Sequence, residues 1–254
     1  MTRAPAPAKI NLALVVGPTR RDGKHEVVTV LQRIDLCDRI TIEPAPRLQV
    51  DGFADDSIVC RALEALADAA GTRPTWHATI EKHVPVAAGL GGGSSDASTA
   101  LRLANRTLEQ PLAGDALRDL AATLGADVPF FLAPGPQLGT GDGSEVSPLD
   151  LPQDYFVVVA LANDAHKSST ADIYAAFDGE DGFEERRAKL LAALDGATRA
   201  RDLAHLPTND LATSPFVHEL RALGAFRADV SGAGPAVFGL FHHRANAQSA
   251  ADAL

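Results

Sequence analysis

Lysine is scarce in this chain, and so are the residues that would announce several common functions. Among 254 residues only Lys9, Lys24, Lys82, Lys167 and Lys189 carry an ammonium group. The two cysteines, Cys37 and Cys60, supply no disulfide framework and fit a reducing compartment. No CxxC or HExxH occurs, so no spacing speaks for a structural or catalytic zinc site. No apolar run approaches the roughly 20 residues that span a bilayer. The opening MTRAPAPAKINL lacks the apolar core of a signal peptide, and the expectation is a cytoplasmic chain with no membrane partner. The formal net charge of −10 disfavours a nucleic-acid partner, which would call for a basic field. It also means that an anionic substrate needs a local positive site.

What remains is ordinary globular material, 46% hydrophobic and 22% charged, enough for one large domain or two small ones. Ala8 to Val16 (AKINLALVV) reads as a strand carrying Lys9 and Asn11. Val27 to Ile34 and Arg39 to Glu43 read as strands joined by a turn at Asp35–Asp38. Ser57 to Ala69 has helical spacing, and Trp76 to Lys82 alternates like a half-buried strand. A helix over about Gly114 to Leu124 ends at Gly125, a favourable residue just past a helix end. Gly135 to Pro152, rich in Gly, Pro, Asp and Ser, reads as a crossing between domains 1–150 and 151–254. Beyond it come a buried strand at Tyr155–Leu161 and a charged helical stretch from Gly179 to Leu206. A helix opened by Ser214–Pro215 follows, and Ala228 to Phe241 reads as strand, glycine turn, strand. The mixed order predicts an α+β fold in two lobes.

The densest feature is AAGLGGGSSDAS, from Ala87 to Ser98. Four glycines in five residues lie between a strand and a helix with apolar Ala97, Ala100, Leu101 and Ala104 on one face. Ser94 or Ser95 is the expected N-cap, with Asp96 complementing the helix dipole. Such a loop exposes backbone N–H groups at the positive end of a helix and holds anions without a lysine. A tight turn that packs a helix close to a sheet would also explain it. Three other positions stand out, each with an ordinary alternative. Lys9 starts an apolar strand; it is a solvated lysine or a cation that stabilises a transferring phosphoryl group. Asp127, between Gly125 and Val-Pro, is a turn aspartate or a base that accepts a hydroxyl proton. Gly232 to Pro235 is a hairpin turn or a second ligand wall. His25, His77 and His83 have no metal-ligand spacing.

Together these segments resemble the GHMP small-molecule kinases. Pro7-Ala8-Lys9-Ile10-Asn11-Leu12 is similar to the first motif of that family, PVAAGLGGGSSDA (85–97) to its ATP loop, and SGAGPAVF (231–238) to its third motif. Asp22-Gly23-Lys24-His25, the G-L-G-G-G-S-S form of the loop, LGADVPFF (124–131) and Thr208-Asn209-Asp210-Leu211 resemble the members that act on a cytidyl-linked methylerythritol. The resemblance implies transfer of the ATP γ-phosphate to the 2-hydroxyl of that small-molecule substrate, with Mg²⁺. It implies an N-terminal lobe like ribosomal protein S5 domain 2 and a ferredoxin-like C-terminal lobe. It implies that Asp127 is the general base and Lys9 its cationic neighbour. Gly89, Leu90, Gly91, Gly92, Gly93, Ser94 and Ser95 would hold the triphosphate, Ser95 being also the one candidate toward the metal. Asn11 would fix the substrate, His25 would bond the cytosine edge, and Tyr174 would stack on the ring.

Two positions depart from the family pattern. Lys24 stands where the family has a stacking tyrosine, and Asp56-Ser57-Ile58 stands where an asparagine serves the adenine. Lys24 keeps open a kinase for another small alcohol, such as mevalonate or homoserine. A non-catalytic sensor on the same fold has no need of Lys9 and Asp127 together. A dinucleotide-dependent oxidoreductase is disfavoured, because no acidic residue ends a following strand at the usual distance. Monomer and homodimer are both open.

Overall fold

The computed structural model describes residues 1–53, 57–161, 170–177 and 182–254. In chain order the strands and helices are β1 (Thr2–Thr19), β2 (His25–Pro44), β3 (Gln49–Asp51), α1 (Ser57–Ala69), β4 (Trp76–Glu81), α2 (Gly92–Asn105) and α3 (Gly114–Leu124). Then follow β5 (Gln137–Thr140), β6 (Glu145–Pro148), β7 (Phe156–Ala160), α4 (Thr170–Ala175), α5 (Phe183–Asp195), α6 (Pro215–Ala222), β8 (Arg227–Val230), β9 (Val237–Phe241) and α7 (Arg244–Ala253). Short 3-10 helices lie at Pro129–Leu132 and Ala200–His205. The fold is α+β, as expected. The expected lobes were continuous stretches of chain. The compact units are sets of segments: 1–9, 33–86 and 91–134 form one, and 10–32, 87–90 and 135–254 the other. The long strands β1 and β2 run through both.

In the first unit β2 pairs antiparallel with β4, from Arg39 opposite Glu81 to Pro44 opposite Trp76, and β3 adds to β4 in parallel. Ile40, Ile42, Ala78 and Ile80 point from these strands into a core with Val59, Leu63 and Leu66 of α1 and Ala97, Leu101 and Ala104 of α2. Each large aliphatic side chain buried there contributes about 1.5–3 kcal/mol over its exposed state. The alanines of α2 let the helix that follows the glycine loop sit close to α1.

In the second unit β2 pairs with β5 and β5 with β6, both antiparallel. The expected crossing at Gly135–Pro152 is therefore a hairpin, whose Gly141-Asp142-Gly143 turn is a hairpin signal that outweighs the loop-like composition. A three-stranded antiparallel sheet, ordered β7-β9-β8, packs its apolar face with Leu220 of α6 and Ala247 and Ala250 of α7. β7 is an edge of that sheet. The expected buried strand at Tyr155–Leu161 is thus only partly covered, and Phe156 and Leu161 are exposed. Inside this unit the buried Arg227 guanidinium donates to the carbonyls of Leu12, Leu203, Leu206 and Pro207 and pairs with Asp229.

Two further corrections share one cause, a buried carboxylate that replaces a local signal, and a third comes from the loop backbone. The turn expected at Asp35–Asp38 is absent and β2 runs through, because Asp38 is fully buried and satisfied. Its Oδ1 accepts the N–H of His83 and Val84, and its Oδ2 takes the Lys82 ammonium at 2.6 Å. Asp96 does not serve the helix dipole; it is fully buried and pairs with the same ammonium at 2.8 Å. Neither serine caps α2: Gly91 is the N-cap, left-handed at φ 68°, and both serines lie inside the helix. Elsewhere α3 ends at Gly125 as expected, with that residue extended, and the helical stretch expected up to Leu206 breaks after Asp195.

Burial opposes the Lys82 ammonium, but its two carboxylates outweigh that and raise its pKa. Lys82→Met would leave two buried carboxylates uncompensated. It should destabilise the protein by about 3–5 kcal/mol in chemical denaturation, and a loss under about 1 kcal/mol would show the cluster to be idle.

Candidate active site

The loop between β4 and α2 begins the site. Gly89 and Gly91 both have positive φ, 81° and 68°, which costs little only for glycine. Space excludes a side chain as well. A Cβ on Gly91 would stand 2.9 Å from Lys9 Cγ and 3.1 Å from Phe131 Cζ. A Cβ on Gly89 would stand 2.2 Å from the Ser231 carbonyl oxygen. The Gly89 carbonyl accepts the Ser231 hydroxyl at 2.9 Å, and Ala88 accepts the Ala236 N–H at 3.0 Å. Gly232 to Pro235 thus form the turn of the β8–β9 hairpin, and that hairpin anchors residues 88 and 89.

Ser95 N–H bonds the Gly91 carbonyl at 2.9 Å. Helix geometry then leaves the N–H groups of Gly92, Gly93 and Ser94 without an acceptor in the helix, at its positive end. Ser95 is fully buried, and its hydroxyl finds no hydrogen-bond partner among the described residues. Together these are donors fit for an anion, with a hydroxyl beside them.

Lys9 lies on β1 with only 4% of its surface exposed, which rules out the solvated lysine. Its stem packs on Gly91 and its Nζ stands 3.3 Å from Asp127 Oδ2. Asp127 is one-third exposed on its side chain. It lies in the turn between α3 and the 3-10 helix Pro129–Leu132, a turn closed by the Val128 N–H on the Gly125 carbonyl. The first unit therefore brings Lys9, Asp127 and the loop residues from Gly91 to Ser95 together. One partly exposed carboxylate beside a buried cation and a row of N–H donors can accept a proton next to a bound anion.

The other predicted residues lie in the second unit. Asn11 is buried, and its Nδ2 donates to Thr29 Oγ1 at 2.8 Å, which in turn donates to the Ala13 carbonyl. His25 Nδ1 is 2.8 Å from the Gly17 carbonyl. A carbonyl only accepts, so Nδ1 carries the hydrogen and neutral His25 presents Nε2 as an acceptor. Its ring lies 5.8 Å from that of Tyr174 and 5.9 Å, edge-on, from that of Phe177. Lys24 does not reach toward these rings; its ammonium is tied to Asp142. Burial alone would push the Asp142 carboxyl up, but Lys24 and Ser144 outweigh it and hold it at about 2. The Asp56 position lies outside the described residues.

Sequence reasoning passed over three contributors. Lys82 was counted but given no partner, although aspartates inside an apolar strand (IDLCDRI) hint at a buried cation. Phe177 follows Tyr174 by one helical turn, a spacing that places both on one side. Arg33, in mid-strand, carries no local signal at all. Among the described residues no group of three His, Cys, Asp or Glu side chains is placed to hold a metal ion, and no helix is long and apolar enough to cross a membrane.

Comparison with known proteins agrees with this geometry. Residues 57–135 match the GHMP kinases N terminal domain and residues 182–254 the GHMP kinases C terminal model. A curated relative from Anaeromyxobacter dehalogenans, 4-diphosphocytidyl-2-C-methyl-D-erythritol kinase, is 37% identical over 269 residues, which cover 98% of this chain and 83% of the relative. A crystal structure of 4-(cytidine 5'-diphospho)-2C-methyl-D-erythritol kinase superposes with TM-score 0.81 at 32% identity, covering 99% of this chain and 94% of that one. The Methanococcus jannaschii mevalonate kinase shares the fold, with TM-score 0.76 at 16% identity over 100% and 94% of the two chains. On this sequence similarity and coverage, the chain belongs to the GHMP kinases.

Proposed function

We propose that this chain transfers the γ-phosphoryl group of ATP to the 2-hydroxyl of 4-diphosphocytidyl-2-C-methyl-D-erythritol, a step of non-mevalonate isoprenoid precursor synthesis. Full-length relatives named for that activity support the substrate. The observation that carries the chemistry is the pairing of Lys9 with Asp127 at 3.3 Å, with the Lys9 stem against the phosphate loop at Gly91.

Asp127 accepts the proton of the substrate hydroxyl. The hydroxyl oxygen forms its bond to the γ-phosphorus as the bond to the β–γ bridging oxygen breaks, and ADP leaves with that electron pair. Lys9 offsets the negative charge on the attacking oxygen and the phosphoryl group. The backbone of Gly89, Leu90, Gly91, Gly92 and Gly93, with Ser94 and Ser95, holds the triphosphate. The unpartnered Ser95 hydroxyl suits Mg²⁺, with nucleotide phosphate oxygens supplying further ligands. Bound there, Mg²⁺ would neutralise charge on the β- and γ-oxygens. Asn11 fixes the substrate, with its amide oriented by Thr29. His25 accepts from the cytosine amine through Nε2, and Tyr174 covers one face of the ring. Lys24 supplies no second aromatic face. Two lone thiols in the chain fit a reaction in the cytoplasm.

The test is product formation. Folded protein given ATP, Mg²⁺ and the cytidyl substrate should yield ADP and the phosphorylated product. Turnover of mevalonate or homoserine without turnover of the cytidyl compound would overturn the substrate. Asp127→Ala should lower kcat by about 10²- to 10⁴-fold while leaving the Kd of a non-hydrolysable ATP analogue within about twofold. A normal kcat in that variant would remove Asp127 from the mechanism.

Lys24→Tyr should restore a stacking face and lower KM for the cytidyl substrate by roughly 2- to 10-fold, with KM for ATP unchanged. Lys24→Met tests the ion pair. The Asp142 carboxyl is held below its ordinary 3.8, at about 2. Its contribution to stability is therefore complete above about pH 4 and lost as the pH falls toward 2. Without the ammonium, burial dominates, and the NMR titration of the Asp142 carboxyl carbon should move upward.

A further inference from the structure

The turn that carries Asp127 leads directly into a short 3-10 helix packed in the core. The 3-10 helix Pro129–Leu132 spans four residues, of which Pro129, Phe130 and Phe131 are buried, and so short a helix does not satisfy its own last carbonyls. One of its internal bonds is the Phe131 N–H on the Val128 carbonyl at 3.2 Å. Buried carbonyls must find donors.

The donor comes from a distant segment. Arg33, in the middle of β2, donates through Nη2 to the Phe130 carbonyl at 2.7 Å and to the Ala133 carbonyl. Its guanidinium also lies over the Phe130 ring, 5.1 Å from the centroid, and 5.8 Å from that of Phe131. The two rings meet edge to face at 4.8 Å. Phe131 continues the chain of contact, because its Cζ lies 3.1 Å from where a Cβ of Gly91 would stand, beside the Lys9 stem. Burial, aided by Arg102, lowers the Arg33 guanidinium to about 10, so it stays charged at neutral pH.

We infer that Arg33 is a positioning residue for phosphoryl transfer: it fixes the turn after Asp127, and so sets that carboxylate against Lys9 and the hydroxyl it deprotonates. The inference rests on Asp127 acting as the base. One guanidinium nitrogen, Nη2, donates to both carbonyls while the plane lies over the Phe130 ring, a combination of fixed donors and planar contact that a compact ammonium reproduces only in part. These bonds of Arg33 go to the backbone that follows Asp127, so its loss should fall on the chemical step rather than on binding.

The experiment compares the wild-type protein, Arg33→Lys and Arg33→Met. It measures kcat, KM for both substrates, the solvent deuterium isotope effect on kcat, and the stoichiometry and Kd of a non-hydrolysable ATP analogue, below the melting temperature of each variant. Arg33→Met should lose at least 10-fold in kcat and Arg33→Lys an intermediate amount. Both should bind the analogue one-to-one with Kd within twofold of wild type. The isotope effect should rise as proton transfer becomes slower. A kcat within twofold of wild type would overturn the inference. So would a fall in kcat matched by a fall in binding stoichiometry with an unchanged isotope effect, which marks a merely structural role. If Arg33→Met does not fold, Arg33→Lys decides by the same readouts. Absence of turnover by the wild-type protein would instead strike the proposed function.

Discussion

Nothing larger than a hydrogen atom fits on the Cα of Gly91. Lys9 presses on it from β1 and Phe131 from the 3-10 helix, and its backbone adopts a left-handed conformation that ends the loop and starts α2. A Cβ at that point would push away the lysine, or the turn that bears Asp127, or the helix start. The cation, the carboxylate and the N–H donors of α2 therefore keep their spacing because one residue has no side chain. Glycine there serves close packing of three elements as much as freedom of φ.

Several cations of the chain are fixed by burial and by partners. With a net charge of −10, diffuse positive potential is not available to attract a polyphosphate. Lys82 is balanced by two buried carboxylates at the root of α2, Arg227 is ringed by carbonyls, and Arg33 is spent on the turn after Asp127. Lys9, buried, packs on the loop at Gly91, beside the backbone dipoles of α2. In a site sheltered from water such fixed groups act more strongly than surface charges.

The cytidyl side is built on other terms. His25 is held by a backbone carbonyl and two aromatic neighbours, which settles its tautomer before any ligand arrives. Lys24 is drawn off to Asp142, so it makes the local turn firm rather than supplying a ring face. On the proposed reading, an ion pair stands where a second aromatic face for the cytosine was expected, and the proposed phosphoryl chemistry rests on other residues, Lys9 and Asp127.

The local signals in the sequence were dependable where a residue's reason was local. Four glycines before an alternating apolar face announced a loop feeding a helix, and helical spacing placed α1, α2 and α3. Paired short strands with a glycine turn placed β8 and β9. Those signals arise from backbone freedom and from periodic burial, both written over a few residues. They failed where a distant partner overruled them. Asp38 looked like a turn former until Lys82 and the backbone at residues 83 and 84 satisfied it inside a strand. Asp96 looked like a dipole partner until the same ammonium took it, and Ser94 and Ser95 looked like caps until left-handed Gly91 took the N-cap position. The sequence by itself determined the class of fold, the glycine loop that feeds a helix and which lysine and aspartate to watch. The tertiary structure alone decided that Lys9 and Asp127 meet, that Lys24 turns to Asp142, and that Arg33 holds the turn. Those contacts join segments tens to more than a hundred residues apart, where spacing along the chain carries no information.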